Sequence, residues 1–464
     1  MFCLGKFIFH EAEMELKMSI LEDLKTNSIS RPRYGCAIGA MYTAAAIPRV
    51  VPITHCGPGC ADKQYVSLAF YNGFQGGGYS GGAVPPSANI SENEVVFGGD
   101  DRLRELIQAS VKIVDADLFV VLTGCIPDIV GDDIPSVVGE FQSRGIPIVY
   151  AETGGFRGNN LTGHETVIRA IIDQFVGDYS GEKTRNTVNV WSEVPYQNTY
   201  WRGDLSEIKR VLEGIGLKVN ILFGHDSGGI SEWLDIPKAA FNLVISPWVG
   251  KGVAEYLQEK YRQPYLHIPA IPIGAIETSD FLREVSQFAG LDQKTTEAFI
   301  NREEKAYYKY LEDFSDFYSE YWWGVPARFA VVSDSIYNLS ITKFLVKQLG
   351  LISVKQIITE NTPEEFKEQI REEFRNIDTD VSLEVEFLED GYLIEESLRS
   401  SPEKPAIIFG TTWDRDIARE LKGNIVEVGF PSSYEVVLSR AYVGYKGALS
   451  LIEKIFTAAI SASA

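Results

Sequence analysis

DDRLRELIQASVKIVDADLFVVLTGC, residues 100–125, holds the pattern from which the fold is read. Leu103, Leu106, Ile107 and Val111 recur at helical spacing, so residues 100–114 form an amphipathic helix. DLFVVLT (117–123) is a short continuous apolar run, the signature of a strand buried on both faces. Cys125 follows after Gly124, at a strand end where α/β proteins display ligands. VVPITH, in the 51–56 region, and IPIVYAE (146–152) are strands of the same kind on either side. A helix between buried strands is the βα alternation of a parallel sheet.

The alternation recurs twice. After the GDYSGEKTRNT stretch (177–187) come VNVWS, KVNILFG, FNLVIS and YLHIPA, with helices expected at 204–214, 249–260 and 278–289. RFAVVSD (328–334) opens a third set, followed by VKQIITE, VSLEVEFL, PAIIFG and NIVEVGF. A chain of 464 residues exceeds what one core supports, so several domains are expected. The reading is an α/β chain of three Rossmann-like doubly wound domains with parallel sheets, at 31–185, 186–327 and 328–464, behind an N-terminal extension at 1–30.

TTEAFINREEKAYYKYLEDFSDFYSEYWW (295–323) contains no Gly or Pro and predicts one long helix or a helix pair between the second and third sets. Its aromatics, Tyr307, Tyr308, Tyr310, Phe314, Phe317, Tyr318, Tyr321 and Trp322, exceed what one face needs. Core packing is their first expected role, and a subunit interface the second.

Composition excludes some functions. Forty-three Lys and Arg against 64 Asp and Glu leave a net charge of −21, which argues against nucleic acid as partner. The apolar start MFCLGKFIFHEAEMELKMSI is broken by Lys6, His10 and Glu11, unlike a signal peptide or membrane span. No later run reaches 18 apolar residues, so a cytoplasmic protein with no membrane partner is expected.

Five cysteines, four of them within the first 60 residues, make a poor disulfide framework and suit reduced thiols with a metal or redox role. Cys36, Cys60 and Cys125 each lie in a Gly- or Pro-containing strand-end turn. Singly, each is more often a small buried hydrophobe than a ligand. Three on separate turns of one α/β domain suit an iron–sulfur cluster, although their spacing matches no short ferredoxin motif.

The blocks GCAIGAMYTAA, ITHCGPGC, VVFGGDDRLRELI (95–107), LTGCIPDIVGDDI (122–134) and GGFRGNNLTGHE (154–165) resemble the nitrogenase component 1 family. That family includes nitrogenase α and β subunits, cofactor-assembly scaffolds and nitrogenase-like reductases. The likeness continues through FNLVISPWVG, QPYLHIPAIPIGAIETSDFL and VGFPSSYEVVLSRAYVGYKGALSLI, and so covers nearly the whole chain. It implies three Rossmann-like domains and a paired subunit. It also implies that Cys36, Cys60 and Cys125 supply thiolates to an iron–sulfur cluster shared with the partner, either an eight-iron [8Fe-7S] P-cluster-like centre or a [4Fe-4S] centre.

Departures from the family pattern refine this. Cys56 replaces a glycine usual in the family and is a possible extra ligand, or a non-ligating thiol. Gly155 stands where nitrogenase β subunits carry a serine, whereas the C-terminal block is β-like. No cysteine follows Cys125 and no histidine follows His267, so the α-type catalytic metal cofactor cannot be held in the family's usual way. His225 and His267 are second-domain candidates for metal or proton transfer, each more readily structural, and His164 is expected to cap a helix or pack near its loop. QGGGYSGGAVPP (75–86) lacks the Lys-Ser/Thr of a phosphate loop and reads as a surface loop; Asp132 and Asp133 read as helix caps.

The resemblance implies a β-like oxidoreductase subunit of an α2β2-like heterotetramer. A homologous α-type sister subunit would hold the catalytic site, and a transient ATP-dependent iron–sulfur reductase dimer would deliver electrons. An assembly scaffold, or a reductase acting on something other than dinitrogen, is the alternative within the family.

Overall fold

The computed structural model describes residues 28–31, 33–76, 85–321, 327–378 and 380–463. Its strands form three separate, wholly parallel sheets. Most of the expected N-terminal extension, Cys3 and residues 77–84 of the glycine-rich loop lie outside the described residues.

The first sheet contains β1 (Val50–His55), β2 (Leu118–Thr123) and β3 (Ile148–Ala151), in the order β1-β2-β3. Around it lie helices α1 (Met41–Ala46), α2 (Pro58–Phe70), α3 (Glu92–Phe97), α4 (Asp100–Ile113), α5 (Cys125–Val130), α6 (Ile134–Gln142) and α7 (Asn160–Ile171). Alternate strand residues face opposite cores. Val50, Leu118, Val120, Leu122 and Val149 join α1 and α7, while Val51, Ile53, Phe119 and Val121 meet Leu103 and Ile107 of α4 and Val137, Val138 and Phe141 of α6. Burial on both faces is why β1 and β2 read as unbroken apolar runs. Each such side chain contributes about 1.5–3 kcal/mol relative to exposure.

The second sheet, β4 (Thr184–Trp191), β5 (Lys218–Asn220), β6 (Ala239–Ile245) and β7 (Tyr265–Ile268), has the order β5-β4-β6-β7. Helices α8 (Trp201–Gly214), α9 (Lys251–Tyr261) and α10 (Gly274–Ala289) match the three expected there. The third, β8 (Arg328–Ser333), β9 (Ile352–Ile358), β10 (Glu386–Phe387), β11 (Ile407–Gly410) and β12 (Asn424–Glu427), runs β10-β9-β8-β11-β12. Both orders reverse in mid-sheet, as doubly wound sheets do; the first sheet follows chain order, yet has helices on both faces.

Two strands are shorter than their apolar runs. KVNILFG pairs only over Lys218–Asn220, and VSLEVEFL only over Glu386–Phe387, at a sheet edge where Val381 stays exposed. The long segment is a single helix, α11 (Gln293–Tyr321). Tyr307 is buried, and Phe314 and Phe317 meet Phe456 at 4.8 and 6.2 Å, so these three serve the core. Tyr308 and Tyr310 face outward. The side chains of Tyr318 and Tyr321, and Trp322, lie outside the described residues. Phe456 belongs to the last helix, α12 (Gly444–Ser463), which returns to pack on α8, α10 and α11.

Candidate metal centre at the strand ends of the first sheet

Because β1, β2 and β3 are parallel and in register, their carboxyl ends emerge at one edge. The loop after β3 is locked to the end of β2: the Thr153 amide donates to Thr123 Oγ1 at 3.0 Å, and Thr153 Oγ1 donates to the Thr123 carbonyl at 2.8 Å. That loop carries Gly154, Gly155 and Phe156 past the cysteines.

Cys125 is the first residue of α5, and its Sγ accepts from the Gly155 amide at 3.1 Å. Cys36 caps a 3-10 turn at Ala37–Ala40, and its segment is docked on the same loop. Cys36 forms a β-bridge with Asn159; the Ala37 amide donates to the Gly158 carbonyl and the Asn160 amide to the Gly35 carbonyl, each at 3.0 Å. Gly155 separates the two thiols, since a Cβ there would lie 3.0 Å from Cys125 Sγ and 3.3 Å from Cys36 Cβ.

Cys60 lies within the first turn of α2 rather than in a turn of its own, because Gly57 caps that helix and Pro58 starts it directly after β1. Its thiol shares a hydrogen bond with Cys56. That bond first, and then burial, pushes the Cys60 thiol far above the ordinary thiol range. Burial likewise raises the Cys36 thiol, with Cys60 and Cys125 adding to the rise and the Ile38 backbone and Lys63 opposing it. All four described cysteines are free; Cys56 is buried, and the other three are half-buried.

His55 and Gly99, which the sequence reading passed over, and Asp132, which it read as a helix cap, hold this edge together. His55, the last residue of β1, is buried, and its Nε2 lies 2.8 Å from Asp132 Oδ2. Asp132 Oδ1 accepts the Gly99 amide at 2.8 Å. One carboxylate therefore joins the end of β1, the start of α4 and the loop after α5, which explains the physical role of the GGDD and GDD blocks. Gly99 has no room for a side chain: a Cβ would lie 2.5 Å from Asp132 Oδ2 and 2.9 Å from His55 Cε1. Burial lowers the His55 pKa despite the Asp132 hydrogen bond. The expectation that both aspartates cap a helix is thus half corrected, since only Asp133 caps α6, accepting from the Ser136 amide at 3.1 Å. A histidine inside an apolar strand was the available signal.

The thiols suit a cluster better than a lone ion. Among the described residues no three His, Cys, Asp or Glu side chains gather around a point one metal ion could occupy. Thiolates that each bind a different iron need not converge, and sulfur donors favour iron–sulfur chemistry, zinc or cuprous ion. The bare Cα of Gly155 leaves the space between Cys36 and Cys125 clear.

The remaining histidines stand apart from the cysteines. Asn159, not His164, caps α7, and His164 is buried within the helix, its Nδ1 2.7 Å from Thr43 Oγ1. Burial lowers its pKa to about 3. His267 Nε2 lies 2.7 Å from the Ser246 carbonyl on the second sheet, and burial lowers this histidine too. His225 is exposed beyond β5. No described helix is long and apolar enough to cross a membrane.

Comparison with known proteins gives concordant matches. The family model described as nitrogenase component 1 type oxidoreductase matches residues 36–460. One subunit of the light-independent protochlorophyllide reductase of Angiopteris evecta is 24% identical over 406 residues, covering 80% of this chain and 73% of the relative. The nitrogenase molybdenum-iron protein beta chain of Clostridium pasteurianum is 23% identical over 447 residues, covering 90% of each chain. A structure of nitrogenase Cp1 at pH 6.5 superposes with a TM-score of 0.76 at 21% identity, covering 95% of this chain and 96% of that one.

Proposed function

This chain belongs to the nitrogenase component 1 type oxidoreductases, and we propose that it serves there as a β-like subunit holding half of an iron–sulfur cluster at a subunit interface. The observation that carries the proposal is the grouping of Cys36, Cys60 and Cys125 at the strand ends of one sheet, with Cys36 and Cys125 on either side of Gly155. These three are the proposed ligands, and Cys56, whose thiol hydrogen-bonds with that of Cys60, is a reserve thiol. The cluster, [8Fe-7S] or [4Fe-4S], would supply one-electron transfer between a reductase and the partner's catalytic site.

The chain's own groups prepare the site. The Gly155 amide donates to Cys125 Sγ, and hydrogen bonds to cluster sulfur stabilise added negative charge and raise a reduction potential. The His55–Asp132–Gly99 junction fixes the ends from which Cys60 and Cys125 project. Around them Phe97 of α3, Ile129 of α5 and Phe156 beside Gly155 are 81%, 74% and 62% exposed. An apolar rim of this kind suits a protein partner. We assign the rim to an α-type sister subunit in an α2β2-like assembly, with an ATP-dependent iron–sulfur reductase as transient partner.

The likeness to a protochlorophyllide reductase favours one second reading, a nitrogenase-like reductase whose substrate is not dinitrogen. Both readings need the cluster. The chain is co-expressed with its α-type partner and analysed for iron and for the spectrum of the reduced cluster. Cys36→Ala, Cys60→Ala and Cys125→Ala should each lower iron content and change the spectrum; unchanged iron and spectrum in all three would sink the proposal.

A further inference from the structure

His225 stands where two cavities meet, far along the chain from the cysteines. One, of about 340 Å³, is lined by Arg202, His225, Ser439, Arg440, Lys446 and Ser450. The other, of about 280 Å³, is bounded by Ala45, Ile47, Pro48, Tyr196 and Trp201. Arg202 and His225 line both. The first is polar and cationic, whereas the second is walled mainly by apolar and aromatic groups.

The charges around the first cavity do not cancel. Glu207, in its wall, is held by Arg210 at 2.7 Å, and Arg440 pairs with Glu435 at 2.6 Å. The Arg202 guanidinium lies over the rings of Tyr196 and Trp201 at 5.4 and 5.3 Å and, among the described residues, donates only to neutral oxygens, the Gln75 carbonyl at 3.3 Å and Tyr196 Oη at 3.2 Å. Among the described residues its buried Nε has no hydrogen-bond partner, and neither has the Nε1 of Trp201. Lys446, exposed in the first turn of α12, has no ion pair among the described residues. Against these cations the cavity sets one further carboxylate, Asp226. Gly203 lets the wall close, because a Cβ there would lie 2.3 Å from the Arg440 carbonyl. In a chain of net charge −21, unneutralised cations beside an aromatic recess are unusual.

We propose that the paired cavities bind an organic anion with a flat apolar body. Its ring lies in the recess bounded by Tyr196 and Trp201, and its carboxylate or phosphate meets Arg202, His225 and Lys446. The site is separate from the cysteines and does not depend on the function proposed above.

The test is calorimetric titration of the full chain with 2-naphthoate, with neutral 2-naphthalenemethanol and inorganic phosphate as comparisons. Naphthoate should bind with one-to-one stoichiometry, at least about tenfold more tightly than either, because a charge-assisted contact is worth that factor or more. Arg202→Gln should weaken naphthoate binding about tenfold or more, and Lys446→Gln roughly threefold to tenfold. Lys446 is exposed, so its variant remains informative if Arg202→Gln does not fold. Equal binding of alcohol and naphthoate would overturn the anion assignment, and equal binding of phosphate and naphthoate would overturn the aromatic one. Wild-type affinity for naphthoate in Lys446→Gln would overturn the placement.

Discussion

Asp132 offers the sharpest test of how the cysteine edge is held. Its side chain is 3% exposed and accepts from two buried donors, His55 Nε2 and the Gly99 amide, each at 2.8 Å. Among the described residues His55 Nδ1 has no partner already. Asp132→Ala removes both acceptors, and an orphaned buried donor costs about 1–3 kcal/mol, so about 2–6 kcal/mol is expected in all. Asp132→Asn keeps an oxygen for Gly99 but turns an NH2 group toward His55. The ring must then accept at Nε2 and carry its proton on Nδ1, where nothing receives it. One orphaned donor, about 1–3 kcal/mol, is therefore expected for the amide. Urea unfolding of both variants against wild type measures the two costs, and iron per chain, purified with the partner, shows whether the site follows. An Asp132→Asn loss equal to that of Asp132→Ala, or an Asp132→Ala loss below about 0.5 kcal/mol, the range typical of an uninvolved surface position, would refute the junction.

Further outcomes can be stated briefly. His164 is held near a pKa of about 3 by burial, below its unfolded value of about 6.5, so the unfolded chain takes up the proton first as pH falls. Its contribution is fully present above pH 6.5 and declines by about 2 kcal/mol between pH 7 and pH 5, a figure nearly the same for a folded pKa of about 3 or about 4. His164→Gln should remove that part of the pH dependence, and parallel stability curves for the two proteins would reject the argument. Gly155→Ala places a Cβ 3.0 Å from Cys125 Sγ and 3.3 Å from Cys36 Cβ, so iron content should fall to roughly half or less with little change in unfolding. Full iron in that variant would show that the thiols need no clearance there. Arg33 and Asp414 form a buried pair at 2.7 Å, with side chains 1% and 0% exposed, and Arg33→Gln should cost about 3–5 kcal/mol in thermal or urea unfolding.

The strands of the first sheet were legible because burial on both faces leaves an unbroken apolar record, as in LFVVLT. Strand order was not, since chain order and mid-sheet reversal produce the same alternation of helix and strand. VSLEVEFL misled for a different reason: Leu383 and Val385 are buried as the alternation implies, but burying a face does not require ladder pairing, so only Glu386 and Phe387 pair with β9 and Val381 is left exposed. Cys60 and Cys125 were visible as residues shortly after apolar runs, whereas Cys36 follows SRPRYG and precedes the first strand, so it does not lie in the strand-end turn expected of it. The group holding them was not visible, because His55, Gly99 and Asp132 are distant in sequence and meet only when the ends of β1 and β2, their loops and the start of α4 are assembled. A paired aspartate before a helix suggests capping twice over, and the structure divides the labour between the two.

Cys36 reaches its place by a different route from the other two thiols. Cys60 and Cys125 ride on helices that begin where β1 and β2 end, but the Cys36 segment is held by residues 158–160. It also rests against Gly163, where a Cβ would lie 2.1 Å from the Ala37 carbonyl. The first of the three thiols to leave a ribosome is therefore the last to be seated, waiting until the loop after β3 and the start of α7 have been synthesised. On the proposed function, iron arriving earlier would find an unfinished nest. The order of synthesis and the order of assembly run in opposite directions here, so a complete set of thiols certifies that the first sheet has closed.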